Sequence, residues 1–536
     1  MQIQDTGVKN NIYYGEICKN LPRVLSLFDT DFTSKSYGVG DRYYWAWGLT
    51  DFGNGSFQGA ANGLSRLWVS GLWPFESSEE VFFERINSLF LGAQTLTQKN
   101  GSLEEAFPNE GSYCVTSLVA FDLLVTIDLL DPLIDQGKKQ EWLSIVEPMA
   151  QFLIKSDETH ALISNHLATA AAALFRWCEV TEQDAGASSK GELLISRILK
   201  NQSKEGWFKE YEGADPGYQT LCTYYLADLH LNHPHLNLAD SLSQSIQFLW
   251  NFAHPDGSFG GYYGSRSTRF YNPGGILALR EEIPEAHALS SFMSPSIKES
   301  KVVSISSMDE PNLVPMFNSF AWCASLVKKS IADGVSLPKD LDLPCNDLTP
   351  LRKNFSEAGL LIDRGTDYYS IINYKKGGVV QHYVDHKLEL VDTGAAFKSS
   401  QGKFGSNQTF DAGLKYEVGE NKIVVRNQVV EMPKKLPSPL QFLLLRLFCF
   451  SIFRSSFIRE FTKRFLVKYL ITKPKRWPVW NEREISLGKK LVVEDKHQEV
   501  QGFKKLESAK PFVSIHMASK GYWQVHDESF KNDTSI

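Results

Sequence analysis

Apolar residues in the first two thirds of the chain recur at i, i+3 and i+4, as in Leu221, Tyr224, Tyr225 and Leu229, which is the spacing of one helix face. Short turns of one kind punctuate these runs: Gly53-Asn54-Gly55-Ser56-Phe57, Asn100-Gly101-Ser102-Leu103, Glu205-Gly206-Trp207-Phe208 and Asp256-Gly257-Ser258-Phe259. The glycines at 55, 101, 206 and 257 stand 46, 105 and 51 residues apart, so the middle interval is about twice the others. A further copy is expected near 155, where Ser156-Asp157-Glu158-Thr159 precedes the helical run Asn165 to Phe175. A sixth, Asp309-Glu310-Pro311-Asn312, leads into Phe317 to Val327. Six units of loop, helix, turn and helix predict a closed (α/α)6 toroid, because an open solenoid has no fixed number of repeats and needs polar caps.

The pattern changes after a segment rich in Pro, Asp and Leu, read as a linker over 333–351. Leu360 to Asp363, Tyr368 to Tyr374, Lys387 to Val391, Lys422 to Val425 and Lys490 to Val493 are short, alternating or β-branched, and separated by Gly, Asn and Asp turns. The fold class expected is therefore a multidomain α+β chain. An (α/α)6 toroid over 1–332 is followed by an antiparallel β-sandwich over 352–536, interrupted by a basic, apolar helical insertion at 436–476.

Composition narrows the partners. With 536 residues, 43% of them hydrophobic, the chain buries a large core, and a net charge of −6 gives no global reason to bind nucleic acid. The seven cysteines, Cys18, Cys114, Cys178, Cys222, Cys323, Cys345 and Cys449, form no CxxC pair and suit a reducing compartment. Residues Met1 to Lys9 lack the apolar core of a secretory signal, so a cytoplasmic location is expected. The charge is unevenly spread. Lys434 to Arg476 holds 11 Lys or Arg against Glu460, a net +10 that leaves −16 for the remainder. Its apolar runs, Leu440 to Phe450 and Phe457 to Ile471, are too short and too interrupted by Arg446 and Arg454 to span a bilayer. Residues 438–472 are expected either to lie on an anionic membrane, peripheral on its inner face, or to form a hairpin packed on the sandwich with its basic side toward the acidic toroid.

In a toroid the loops that open the inner helices converge at one end, and the helix N-termini there favour anions. Those loops carry Asp41, Arg42, Trp45 and Gln58; Glu104 and Glu105; Asn165 and His166; Glu212, Asp215 and Tyr218; and Arg266, Arg269 and Tyr271. Aromatic platforms beside Arg, Asn and carboxylates suit a carbohydrate.

Three segments carry a family resemblance: Ser164-Asn165-His166, Gly206-Trp207-Phe208 through Glu212 to Asp215-Pro216-Gly217-Tyr218-Gln219, and Asp256-Gly257-Ser258-Phe259-Gly260-Gly261 up to Gly264-Ser265-Arg266. In these the chain resembles the heparinase II/III and alginate-lyase-like polysaccharide lyases, which pair a toroid with a C-terminal β-sandwich. The resemblance implies a uronate-containing polysaccharide or lipid-linked oligosaccharide as substrate and Tyr218, His166 and Asn165 as catalytic residues. Arg42, Trp45, Gln58, Glu212, Asp215, Arg266, Arg269 and Tyr271 would bind the sugar. Removing the proton α to a uronate carboxylate requires that carboxylate to be neutralised, a task for Asn165 with Arg266 or Arg269 behind it. A base and an acid are also needed, for which His166 and Tyr218 are the candidates. Elimination gives a lyase and reprotonation on the opposite face gives a C5-epimerase.

Two departures stand out. Gln219 occupies the place after the tyrosine where the family often has His, and no His-rich catalytic strand is present. His382, His386 and Asp392 have the ligand types for a structural metal but no strong metal spacing, so no cofactor is expected. A glycosidase would instead use Asp215 with Glu105 or Asp41, and a non-catalytic glycan-binding protein would keep the aromatics and lose the acid and base.

Overall fold

The computed structural model describes residues 10–507, except 159–161, 183, 185, 340, 411–412, 433–437, 455–457 and 459–474. Among these, six helices form an inner ring: Ala60–Val69, Tyr113–Leu130, Ser164–Thr181, Pro216–Asn232, Gly274–Ala278 and Glu310–Asp333. Each packs on the next, and Glu310–Asp333 returns to Ala60–Val69, so the ring closes. The outer partners are Glu79–Leu96, Gln136–Lys155, Ala187–Lys200, Ala239–Leu249, Pro284–Lys298 and, completing the sixth hairpin, the N-terminal helix Ile12–Leu25. That last pairing is made across the whole toroid, with Asn11 Nδ2 donating to the Ala324 carbonyl at 2.9 Å and Arg23 to that of Met308 at 2.7 Å. Tyr113–Leu130 is apolar on every side because neighbours surround it, which is why it has the length and composition of a membrane span yet lies buried.

All six punctuating turns precede inner helices, and packing explains their glycines. Gly101, Gly206 and Gly257 have φ of +88°, +96° and +90°, and each lies against the outer helix of its own hairpin. A Cβ on Gly101 would fall 1.9 Å from the Pro148 carbonyl oxygen and one on Gly206 2.2 Å from that of Gln244. Only glycine meets both demands.

Beyond the toroid, twelve strands among the described residues form two antiparallel sheets. The first is a meander of β1 (Leu351–Phe355), β2 (Leu360–Arg364), β3 (Tyr368–Asn373), β4 (Val379–Val384) and β5 (Lys387–Asp392). The second joins β6 (Ala396–Ser399), β7 (Phe404–Ser406), β8 (Lys415–Val418), β9 (Lys422–Glu431), β10 (Arg476–Ser486), β11 (Val492–His497) and β12 (Phe503–Lys505). Alternation sorts the first sheet's side chains: Leu360, Ile362, Tyr369 and Ile371 join the toroid core. Leu361, Ile372 and Val380 meet Ile423, Val425 and Ile485 of the second sheet. With both faces covered, β2 is buried at every position, apolar over Leu360, Leu361 and Ile362 and closed by Asp363 and Arg364, which pair with Arg352 and Asp347.

The insertion opens with the helix Pro439–Phe450, started by a capping box of Ser438 and Gln441. It rests on the toroid loops. Arg446 pairs with Asp51 at 3.1 Å, Asn109 Nδ2 donates to the Cys449 carbonyl at 3.0 Å, and Phe107 lies 6.5 Å from Phe453. The expected second run, Phe457 to Ile471, lies outside the described residues except for Ile458.

Candidate functional site

The site begins with a two-residue bridge. Ile163 pairs antiparallel with Glu210, Ser164 donates from both N and Oγ to the Lys209 carbonyl at 3.2 and 2.8 Å, and Tyr211 N–H reaches the Leu162 carbonyl at 3.3 Å. These bonds lay loop 209–213 across the start of helix Ser164–Thr181, whose own N-cap position, Ile163, supplies no side-chain acceptor. Glu210 supplies it from the other loop. Its Oε1 accepts from the Asn165 backbone N–H at 3.1 Å and from Asn165 Nδ2 at 2.7 Å, so one buried carboxylate caps the helix and fixes the Asn165 amide. Burial pushes the Glu210 carboxyl above its usual range, against the pull of Arg266 and the Asn165 donors.

Arg266 is the hub. Its guanidinium stands 3.6 Å from Glu210 Oε2, over the Tyr218 ring at 3.3 Å from the centroid, and 5.3 Å from that of Tyr211. The guanidinium thus lies on the Tyr218 ring as a cation–π pair. Asp215 sets the spacing: as N-cap of helix Pro216–Asn232 its Oδ1 accepts from Tyr218 N–H at 3.1 Å and from Thr268 Oγ1, while its Oδ2 accepts from Arg266 N–H at 2.8 Å. From the first sheet, Lys376 reaches under the same loop and donates to the carbonyls of Tyr262 and Gly264 and to Ser267 Oγ at 2.8, 2.6 and 2.6 Å. Burial pulls the Lys376 ammonium down to about 8, with Asp215 and Glu212 favouring its charge.

His166, next to Asn165, is half-buried and places Nδ1 2.7 Å from Glu158 Oε2. Burial opposes its charge, yet the Cys114 thiol beside it and the Glu158 carboxylate together hold its pKa well above the usual imidazole value. A pKa held up in this way favours the charged, donating form of the ring.

Asn165, Arg266 and Tyr218 are thus brought into one chain of contacts through Glu210, with Asp215 bracing the last two and His166 next to Asn165 in sequence. Gln58 is fully buried, accepts from Gly40 N–H at 2.9 Å and donates to the Gly38 and Leu89 carbonyls, both at 2.9 Å, so it splices backbone instead of meeting sugar. Asp215 is likewise buried and occupied. Tyr271 lies in the core against Phe259. Arg42 donates to the Ser26 carbonyl and Trp45 to that of Leu27, tying their loop to the N-terminal helix. Arg269 donates to Tyr262 Oη at 3.0 Å. Glu212 lines a separate cavity of about 300 Å³ with Glu357, Lys375, Phe410 and Tyr416, where toroid and sheets meet. The carboxylates offered for hydrolysis are also engaged: Asp41 caps Tyr43 N–H and holds Asn54 N–H, and Glu105 accepts from Ser112 Oγ. Gln219 is a buried bracket between Phe208 N–H and Ser245 Oγ. His382 lies between Ser370 Oγ and the Lys489 carbonyl, Asp392 pairs with Arg483 at 2.6 Å, and His386 sits in the β4–β5 turn with a left-handed backbone. No group of three or more His, Cys, Asp or Glu among the described residues is arranged to hold a metal.

Sequence reasoning missed Glu210, Glu158, Tyr211 and Lys376. The run Lys209-Glu210-Tyr211-Glu212 contains two glutamates, and choosing the inward one required the bridge to Ile163. Lys376 comes from another domain.

No family model matches the chain, and no curated protein matches it significantly. Solved structures similar to it include the cellobiose 2-epimerase of Bacillus thermoamylovorans, at 11% identity over 60% of this chain and 100% of that one with a TM-score of 0.42. Heparinase III is similar at 11% identity over 88% and 79%, TM-score 0.43. The chondroitin AC lyase of Streptomyces coelicolor A3, solved with chondroitin sulphate, is similar at 9% identity over 78% and 66%, TM-score 0.45. Likeness at this level carries nothing about chemistry, which rests on the site itself.

Proposed function

We propose that the chain is a carbohydrate-active enzyme that abstracts the C5 proton of a uronate residue in an acidic polysaccharide or lipid-linked glycan. The observation that carries this reading is the Arg266 guanidinium stacked on Tyr218 within the Asn165–Glu210–Arg266 chain. Tyr218, held against Arg266, is the proton-transfer group: as phenolate it takes the C5 proton. The His166 imidazolium and the second amide hydrogen of Asn165 supply what the substrate carboxylate needs as negative charge moves onto it. Collapse of the carbanion then expels the 4-oxygen with formation of the C4–C5 double bond, and Tyr218 returns its proton to the leaving oxygen. Reprotonation of C5 from the opposite face gives the epimer instead. Hydrolysis has less support, because Asp215 spends its oxygens on Tyr218 N–H, Arg266 N–H and Thr268.

The test is incubation with a panel of uronate-containing polymers and lipid-linked oligosaccharides in heavy water. Ultraviolet absorbance from an unsaturated uronate identifies elimination, and deuterium at C5 without cleavage identifies epimerisation. New reducing ends without unsaturation, or no turnover across the panel, would overturn the reading.

A further inference from the structure

A helix on a protein surface ordinarily turns its charge to water and its leucines inward. Pro439–Phe450 does the reverse. Its one charged residue, Arg446, points at the toroid, where it pairs with Asp51 and lies 5.3 Å from the Phe52 ring. Among its twelve residues only Cys449 is buried, while Leu440, Leu443 and Leu447 are 65%, 57% and 57% exposed. The toroid loop that receives Arg446 has the same character. Trp47 and Leu49 are 66% and 69% exposed, and the bond from Leu49 N–H to the Tyr43 carbonyl folds the loop so that exposed Tyr43 returns beside them. Two elements far apart in sequence, joined through Arg446, therefore both present large apolar side chains to solvent, which marks an interaction surface.

We propose that this surface docks on an anionic lipid bilayer. Charge selects that occupant. The stretch Lys434 to Arg476, to which the helix belongs, carries a net +10. A second copy of the chain seated on the same face would set one such stretch against another. An anionic leaflet supplies the opposite charge together with an apolar layer for leucine and tryptophan. Twelve residues of helix are too few to span, so the contact is peripheral. It is independent of the chemistry proposed for Tyr218.

The experiment uses the full chain with sedimented vesicles of phosphatidylcholine alone or mixed with phosphatidylglycerol. The mixed vesicles should bind at least about tenfold more tightly at low salt, with the advantage shrinking as salt screens the charges. The double variant Leu443→Glu with Leu447→Glu, at positions already in solvent, should lose at least about tenfold in binding and keep the wild-type melting temperature. Bromine-labelled lipids should quench part of the tryptophan emission, and Trp47→Phe should abolish that part. Failure to pellet with either vesicle, equal binding to both, or quenching unchanged in Trp47→Phe would overturn the proposal. So would a self-associated wild type that the double variant converts to monomer without any vesicle binding, since the occupant would then be a second copy.

Discussion

The loops opening the first and fourth inner helices hold the same kinds of side chain, and the fold uses them in opposite ways. In the first, Asp41, Arg42, Trp45 and Gln58 all bond to backbone groups within the first repeat, its outer neighbour or the N-terminal helix. In the fourth, Asp215 takes that service, and the bonds it makes hold Tyr218 and Arg266 against each other. Glu210, in the same loop, does the same for Asn165 at the start of the third inner helix. A polar side chain becomes available for chemistry when another one meets the needs of the backbone around it.

The contrast can be broken most sharply at Tyr218. Tyr218→Phe should lower turnover by about 10²- to 10⁴-fold, the range for a proton-transfer group, with polysaccharide affinity within a few-fold. A fully active variant would remove the site. Asn165→Ala should cost about 2.7 to 4 kcal/mol of transition-state stabilisation, and a neutral methyl ester of the substrate should recover much of that loss. Equal loss on ester and acid would mean that Asn165 serves only Glu210. At the first loop the expectation inverts. Gln58→Ala should leave turnover unchanged and lower stability by roughly 1 to 3 kcal/mol in urea unfolding, because buried backbone groups lose their partner. A selective drop in turnover with unchanged stability would erase the distinction between the two loops.

The smallest effect expected is a change of pH profile. His166 has a folded pKa raised above the usual imidazole value of 6.5, so its stabilisation is complete below that value and is lost as pH rises through the raised one. The stability difference between wild type and His166→Gln should therefore be largest near about pH 6 and shrink on the alkaline side. A difference that grows with pH would mean that the imidazole is neutral in the fold.

The six-hairpin ring was readable because three of its turn glycines, Gly101, Gly206 and Gly257, are each forced by their own outer helix, a local constraint that recurs at the spacing of the repeat. Strands were readable where one face differs from the other or where both are covered, as in β2. Asn165, His166 and Tyr218 were picked out through their motifs, but Gln58 and Asp215 share the composition of binding residues and spend their polar atoms on backbone groups, and Tyr271 packs against Phe259, which spacing does not encode. Glu210 and Lys376 escaped for a related reason. Each acts on a loop 45 or more residues away, Glu210 on Asn165 and Lys376 on Gly264, and a sequence pattern has no record of such meetings.

Closure of the ring by its first helix has a consequence for synthesis. Ile12–Leu25 is built first, yet its inner partner ends at Asp333, so the helix emerges long before the surface that covers Ile17, Leu21 and Val24 exists. At ribosomal rates of about 5 to 20 residues per second the delay is roughly 15 to 60 seconds. For that time an apolar stripe is available to chaperones or to the wrong chain, and the toroid acquires its final seam only when the nascent chain doubles back to its own beginning.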